Sequence, residues 1–205
     1  MGELEQLKNV WQKEDCKITF SKDDIYNMMQ KKSSSVVKWI LIISILEFIL
    51  PNLFTLFTDY DATVDFYSKY SMTNAMKFYF SIHFIIILYF IYIFYKNYKN
   101  ISAFSNVKEL MHDIIKTRKT VKYYIYYNIL MFTIIGIHIY YKVFNSESFL
   151  ETLPENTNLT IVWVIALLLL TLTIFLFWGI YRIIYGFFLK KLNKNFKELE
   201  KTEYC

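Results

Sequence analysis

Residues 78–95 read FYFSIHFIIILYFIYIFY and contain no Lys, Arg, Asp or Glu. At about 1.5 Å per residue, a helix of this length covers most of a hydrocarbon core of about 30 Å. Its apolar residues do not alternate with polar ones, which excludes a transmembrane strand. The segment therefore predicts a membrane-spanning helix.

Three more apolar blocks have the length of a membrane span, and they lie at residues 36–57, 121–144 and 159–189. The block at 159–189 is longer than a bilayer requires. We therefore expect this helix to tilt, or to continue past the membrane with an apolar face packed on cytoplasmic residues. The predicted fold class is all-α: a polytopic membrane protein with four transmembrane helices in a bundle and short cytoplasmic amphipathic helices.

The segments outside the spans differ strongly in positive charge. Their Lys and Arg counts are 6, 2, 6, 0 and 5 for residues 1–35, 58–77, 96–120, 145–160 and 189–205, respectively. Because cytoplasmic segments retain Lys and Arg, this alternation predicts that both termini and the 96–120 loop lie inside the cell. We expect a multi-pass protein of the bacterial inner membrane, with cytoplasmic N-terminal helices at 1–35, a transmembrane domain at 36–189 and a cytoplasmic tail at 190–205.

The composition excludes several classes of protein. With 55% hydrophobic residues the chain is too apolar to be disordered, and with two Cys it is not a disulfide-stapled scaffold. Its 4 Gly do not form a phosphate-binding loop, and the sequence holds no hydrolase or metalloprotease motif. The 3 His are far apart and the 2 Cys are not spaced as a ligand pair. We therefore expect no metal site, no cofactor and no catalytic residues.

Four apolar stripes with helical spacing lie in the segments predicted to be cytoplasmic. They comprise Leu4, Leu7, Val10 and Trp11; Ile25, Met28 and Met29 after a predicted helix start at Ser21; Val107, Leu110, Met111, Ile114 and Ile115 after a predicted N-cap at Ser105; and Leu192, Phe196 and Leu199. Short helices are marginal unless their apolar faces are covered, so the simpler interpretation is that the stripes pack on one another. The alternative is that residues 1–35 hold a cytosolic protein at the membrane. Topology and anionic lipid explain the neighbouring basic residues, and we expect no nucleic acid partner.

Glu47 falls near the middle of the first span, where an ionisable group is costly and usually faces a bundle interior, a cavity or a partner. In the predicted orientation, His83 and His138 lie in the outer thirds of their spans, within a turn or two of the same depth. A cluster of Glu and His would suit proton relay or the binding of a small cation. The other interpretation is structural: Glu47 is protonated, or hydrogen-bonded to Asn128, Ser81 or a backbone group, and fixes helix packing.

A family resemblance is carried by four stretches: ELEQLKNVWQKED at 3–15, KKSSSVVKWILIISILEF at 31–48, NYKNIS at 97–102 and ELMHDIIKTRKTVKYYIYYN at 109–128. Through these stretches, much of the chain resembles a family of small uncharacterised membrane proteins from Flavobacterium-like bacteria. Members of that family often carry the label beta-carotene 15,15'-monooxygenase. Soluble carotenoid-cleaving oxygenases are large propellers that hold iron with four histidines, whereas this chain has 3 His in all. The resemblance therefore implies a membrane protein without an established activity, and it assigns no catalytic residue.

The function that the sequence favours is a non-enzymatic interaction or regulatory module embedded in the lipid bilayer. One alternative is an anti-sigma-like anchor that sequesters a cytosolic regulator through residues 1–35. Another is a small transporter or channel subunit built around Glu47, which would form a homo-oligomer because four spans are few for a carrier. A membrane oxygenase, as the family label reads, is disfavoured.

Overall fold

The structure is a computed structural model, and it describes residues 22–55, 57, 60–103, 106–154 and 156–204 of the 205-residue chain. These residues form six helices: α1 (Lys22–Phe54), α2 (Tyr60–Lys69), α3 (Thr73–Ser102), α4 (Val107–Phe144), α5 (Glu147–Leu150) and α6 (Leu159–Tyr204). None of the described residues lies in a strand. The predicted all-α fold class is confirmed.

The four long helices α1, α3, α4 and α6 form an antiparallel bundle in which neighbours in sequence are neighbours in space. Helix α1 packs against α3 and α6, α4 packs against the same two helices, and α1 also touches α4 across the centre. We call the end that holds the start of α1, the α3–α4 connection and the end of α6 the terminal end. The opposite end carries the short helices α2 and α5, which pack against α3 and α4 respectively.

All four long helices are long and apolar enough to cross a membrane. Much of their apolar surface is uncovered: Ile183, Leu168 and Phe175 are 76%, 65% and 63% exposed. A water-soluble protein rarely leaves so large an apolar surface in contact with solvent, whereas lipid covers it at no cost. The chain therefore has the architecture of a multi-pass membrane protein.

The four helices are longer than the membrane needs. They contain 33, 30, 38 and 46 residues, which corresponds to lengths of about 45–69 Å. The stretches without Lys, Arg, Asp or Glu that match a hydrocarbon core of about 30 Å are much shorter, for example 78–95 in α3 and 123–141 in α4. The remainder of each helix extends mainly beyond the terminal end of these stretches.

Heptad spacing explains how the helices pack at the terminal end. In α4 the inward residues follow each other at alternating steps of four and three: Leu110, Ile114, Thr117, Val121 and Tyr124. In α6, buried Tyr185, Leu192 and Leu199 are seven residues apart, and α3 repeats this spacing with Ile87, Phe94 and Ile101. Such spacing produces a continuous seam between nearly antiparallel helices.

The predicted mutual packing is confirmed for the three stripes that the structure describes, with the exception of one residue. Met29, Leu110, Ile114, Leu192 and Leu199 all belong to one buried cluster. Ile115, at the edge of its stripe, is instead 38% exposed. The fourth stripe, formed by Leu4, Leu7, Val10 and Trp11, lies outside the described residues.

Two predicted helix boundaries differ from those observed. The amphipathic helix expected to begin near Ser21 is not a separate element, because α1 continues from Lys22 without a break into the first span. The N-cap of α4 is Asn106 rather than Ser105: its side chain accepts a 2.9 Å hydrogen bond from the backbone N–H of Glu109. Because Asn caps a helix as well as Ser does, beginning α4 one residue later does not reduce its stability.

Polar side chains fix the register at the terminal end. The buried Asn195 of α6 donates a 3.0 Å hydrogen bond to the hydroxyl of Ser33 in α1. The Gln30 amide donates a 2.8 Å bond to the carbonyl of Ser102, the last residue of α3, and thus satisfies a helix-end carbonyl. These contacts link α1 to both of its neighbours.

Candidate functional site

Glu47 points into the bundle because it occupies the next core position after a run of buried residues. In α1, Val37, Ile40 and Ser44 are fully buried at alternating steps of three and four, and Glu47 follows three residues later. Its carboxylate Oε2 accepts a 2.6 Å hydrogen bond from the hydroxyl of Tyr124 in α4. The acidic side chain therefore faces the bundle interior, one of the three environments expected for it.

The observed partner differs from those that the sequence suggested. The Asn128 amide donates a 2.9 Å bond to the backbone carbonyl of Tyr124, one turn earlier, rather than to Glu47. Ser81 is exposed. Along α4, Tyr124 lies near the end of the apolar block at 121–144, a position typical of interfacial rings. Its side chain is nevertheless turned inward and is only 1% exposed.

An aromatic layer lies on the terminal side of Glu47. The ring of Tyr124 packs edge-on against Tyr181 and Tyr185 of α6, with ring centroids 6.5 and 5.8 Å apart. On the other side it meets Phe90 and Phe94 of α3 at 5.4 and 5.5 Å. Edge-to-face contacts of this kind stabilise a packed core. This layer therefore closes the interior of the bundle on the terminal side of Glu47.

A cavity of about 400 Å³ opens on the other side of Glu47. All four long helices contribute to its wall, which consists of Glu47, Phe48, Pro51, Asn52, Thr55, Phe80, His83, Phe84, Ile87, Tyr124, Asn128 and Tyr181. Its floor is formed by buried Ile87 and Tyr124, whereas Asn52, Thr55 and Phe84 near its mouth are exposed. The cavity thus leads from the surface between α1 and α3 to the carboxylate.

A second space of about 280 Å³ adjoins the first and shares with it Glu47, Pro51, Phe80, His83, Asn128 and Tyr181. Its remaining wall is apolar and runs between α4 and α6, along Ile129, Met131, Phe132, Ile135 and Phe177. We call the first space the polar cavity and the second the apolar lobe. Glu47 lies at their junction.

Pro51 belongs to the wall of both spaces. A proline in the middle of a helix has no N–H for the carbonyl four residues earlier, which in α1 is the carbonyl of Glu47 itself. The neighbouring Asn52 side chain donates a 2.6 Å bond to the carbonyl of Phe48. The carbonyl of Glu47 therefore lacks the backbone donor that a regular helix would supply, and Asn52 lines the polar cavity one residue beyond the proline.

The contacts of Glu47 place its carboxylate closer to the terminal end than its position near the middle of the apolar block at 36–57 suggests. Tyr124 is only two residues, or about 3 Å along the helix, from Lys122, and Tyr181 directly precedes Arg182. Side chains in a helix slant toward its N-terminus, which for α1 is the terminal end. The carboxylate is therefore deep in the bundle but near the level at which the charged residues begin.

The structure brings two of the other predicted polar residues to Glu47 and leaves one apart. His83 and Asn128 line both the polar cavity and the apolar lobe. The His83 ring stacks on Tyr127, with centroids 5.7 Å apart and planes 12° apart. His138 lines neither space and packs edge-on against Tyr79 at 5.5 Å. The expected cluster of Glu47 with both histidines therefore reduces to Glu47 and His83.

Sequence reasoning missed Tyr124 and Tyr181, although a signal for both exists. The steps of four and three that connect Leu110, Ile114 and Val121 arrive at Tyr124 when they are continued into the span. Tyr181 lies one turn before Tyr185, which shares the heptad position of the Leu192 and Leu199 stripe. The apolar stripes of the terminal end and the polar site around Glu47 are parts of the same seams.

Among the described residues, neither Lys nor Arg lines the polar cavity or the apolar lobe. Within the described part of the chain, no Lys or Arg forms an ion pair with Glu47. Lys122 and Arg182 line a different space, together with Trp178, whose ring lies 4.9 Å from the Arg182 guanidinium carbon. Over the same residues, no group of three or more His, Cys, Asp or Glu side chains could hold a metal ion.

Neither the curated proteins nor the solved structures include a match to this chain. The profile of one protein family does match, over residues 23–204, and the matched region contains all four long helices and the residues around Glu47. The description of that family assigns it no function, which agrees with the expectation of an uncharacterised family. The chain belongs to the family described as Domain of unknown function (DUF8845).

Proposed function

We propose that this protein is a non-enzymatic interaction or regulatory module of the bacterial inner membrane, with both termini and the terminal end of the bundle in the cytoplasm. The alternation of Lys and Arg between the segments supports this orientation. The lipid bilayer is its first partner, because the uncovered apolar surface of the spans needs lipid.

The observation that carries the proposal is the continuity of the long helices. Helix α6 passes unbroken from the membrane level at Leu170 to buried Leu199, and α4 runs from Leu110 through Val121 into its span. A packed four-helix extension of this kind offers an ordered surface to cytosolic proteins. Its helices are also rigidly joined to the residues around Glu47, so an event at either place acts on the other through the same helices.

A cytosolic partner would bind through residues 1–35, as in an anti-sigma-like anchor. Within this segment, Met29 and Ser33 face the bundle and are buried, whereas Lys31 and Lys32 are exposed. We expect the partner to bind the stripe of Leu4, Leu7, Val10 and Trp11 together with the exposed basic face of α1.

The test is affinity purification of the full chain in mild detergent, followed by mass spectrometry. Changing Leu4, Leu7, Val10 and Trp11 together to Ser should abolish recovery of the partner, because it removes the apolar stripe and leaves α1 intact. The matched control changes Lys8 and Lys13, on the same segment, to Ser. Recovery of the same proteins with the stripe variant would contradict the proposal.

A small transporter or channel subunit is a second candidate, and the polar cavity around Glu47 favours it. Four spans are few for a carrier, so we expect a homo-oligomer. The purified protein in liposomes should carry protons or cations, and Glu47→Gln should remove this flux. If the unaltered protein shows no flux, this second candidate is excluded.

A further inference from the structure

The polar cavity and the apolar lobe together have the chemistry of a binding site for one class of ligand. We propose that they bind a lipophilic organic cation, a single positive charge carried on an apolar body, with the charge at Glu47 and part of the body in the apolar lobe. This proposal rests on the same cavity as the second candidate function, but it requires binding only and not transport.

The charge of the ligand follows from Glu47. It is half-buried at the junction of the two spaces, and among the described residues that line them it is the only acidic one. Its hydrogen bond from Tyr124 fixes one carboxylate oxygen. An anion placed here would meet an acidic side chain in a weakly polar environment, whereas a cation would be attracted to it.

The organic nature of the ligand follows from the walls. Aromatic rings surround the polar cavity, among them Phe48 and Phe84, whose centroids are 5.0 Å apart. The faces of such rings attract organic cations. A bare metal ion would instead need several oxygen ligands, and the lining residues that the structure describes offer a single carboxylate.

The lipophilic body follows from the shape of the site. The apolar lobe extends along α4 from Ile129 to Ile135, a length of about 9 Å. The mouth of the polar cavity, at Thr55 and Phe84, opens between α1 and α3 within the apolar part of the bundle. A ligand that partitions into the bilayer could therefore enter sideways from the lipid, with its charge toward Glu47.

The experiment measures equilibrium binding of tetraphenylphosphonium to the purified full-length protein in mild detergent. Tetraphenylborate serves as a probe of closely similar shape and opposite charge. We expect tetraphenylphosphonium to bind saturably. Tetraphenylborate should not compete with it for the site. Glu47→Gln should weaken cation binding by about tenfold or more, since it removes the charge and keeps the side-chain shape. Glu147→Gln, outside the cavity, should not change it.

A second variant keeps the test valid if Glu47→Gln lowers the yield of folded protein. Phe84→Leu removes an exposed ring at the cavity mouth and should weaken binding about threefold. Phe187→Leu, an exposed ring away from the cavity, is its matched control. Absence of saturable binding, or binding that neither Glu47→Gln nor Phe84→Leu weakens, would overturn the proposal.

Binding and flux measurements together distinguish this binding site from the transport candidate. Saturable, Glu47-dependent binding without flux in liposomes would exclude the transporter and support the binding site. Glu47-dependent flux of protons or inorganic cations without binding of tetraphenylphosphonium would support the transporter and exclude the binding site.

Discussion

The hydroxyl of Tyr124 donates a 2.6 Å hydrogen bond to the carboxylate of Glu47 and so joins α4 to α1 across the centre of the bundle. These two helices are diagonal in the four-helix arrangement and touch little elsewhere. The bond also orients the acidic side chain at the junction of the polar cavity and the apolar lobe. It therefore has consequences for both the stability and the chemistry of the site.

Tyr124→Phe should destabilise the protein while leaving its packing in place. The substitution keeps the ring against Phe90 and Tyr185 but removes the hydrogen bond to Glu47, which leaves a carboxylate oxygen without its donor. Hydrogen bonds to charged groups contribute about 1.5–3 kcal/mol. Thermal unfolding in detergent would measure the loss. Tyr126→Phe is the control, because Tyr126 lies on the same helix and is 65% exposed. Equal unfolding temperatures for the two variants would show that the bond does not stabilise the fold.

Asn195→Ala should loosen the terminal end of the bundle. Asn195 is 3% exposed and donates to the hydroxyl of Ser33, so its removal breaks a buried contact between α6 and α1. The expected loss is about 1–3 kcal/mol of unfolding free energy. Limited proteolysis should detect earlier cleavage within α6. Asn193→Ala, two residues away on another face, provides the comparison, and similar cleavage rates for both variants would count against this role.

Gly136→Val should crowd the Leu170 side chain where α4 approaches α6. A side-chain Cβ at Gly136 would lie 2.7 Å from Cδ1 of Leu170, which is itself 7% exposed. Overpacking of this kind costs about 1–3 kcal/mol. Unfolding in detergent would measure the cost, and combining the change with Leu170→Ala should restore part of the stability. Gly179→Val is the control, since a Cβ at Gly179 meets no atom within 4 Å. If the two glycine variants have equal stability, the close approach does not limit the packing.

The proposed orientation predicts which introduced thiols react in intact cells. With Cys16 and Cys205 changed to Ser, Asp65→Cys in α2 and Glu151→Cys after α5 should react with a membrane-impermeant maleimide. Lys99→Cys near the end of α3 should react only after the cells are permeabilised. The reverse pattern would place the terminal end of the bundle outside the cytoplasm and contradict the proposed function.

Local sequence properties predicted the elements of this fold well. Long runs without charge, such as 78–95, leave the chain no alternative to a spanning helix, because only a helix satisfies its own backbone within lipid. The long C-terminal block predicted either a tilted helix or one that continues past the membrane, and α6 does continue to Tyr204. The apolar stripes predicted which faces of α4 and α6 would be covered, namely those that carry Leu110 and Leu192.

The candidate site was predictable only in part. Glu47 stood out because a charge inside an apolar run has a high free-energy cost, and this cost can be read from the chain alone. Its hydrogen-bond partner could not be read in this way. Depth along a helix can be counted from the sequence, but which side of the helix faces the centre depends on how the four seams meet. Tyr124 therefore looked like an interfacial ring and is a core residue.

The amino-acid sequence by itself determined that this chain folds as four long apolar helices, because burial of apolar side chains and satisfaction of backbone hydrogen bonds are requirements of each segment separately. The tertiary structure decided that Glu47 meets Tyr124, that His83 and Asn128 join it while His138 does not, and that a cavity remains between them. These contacts join residues that are tens of positions apart in sequence. They depend on the relative rotation and register of the helices, which are properties of the packed bundle and not of any one segment.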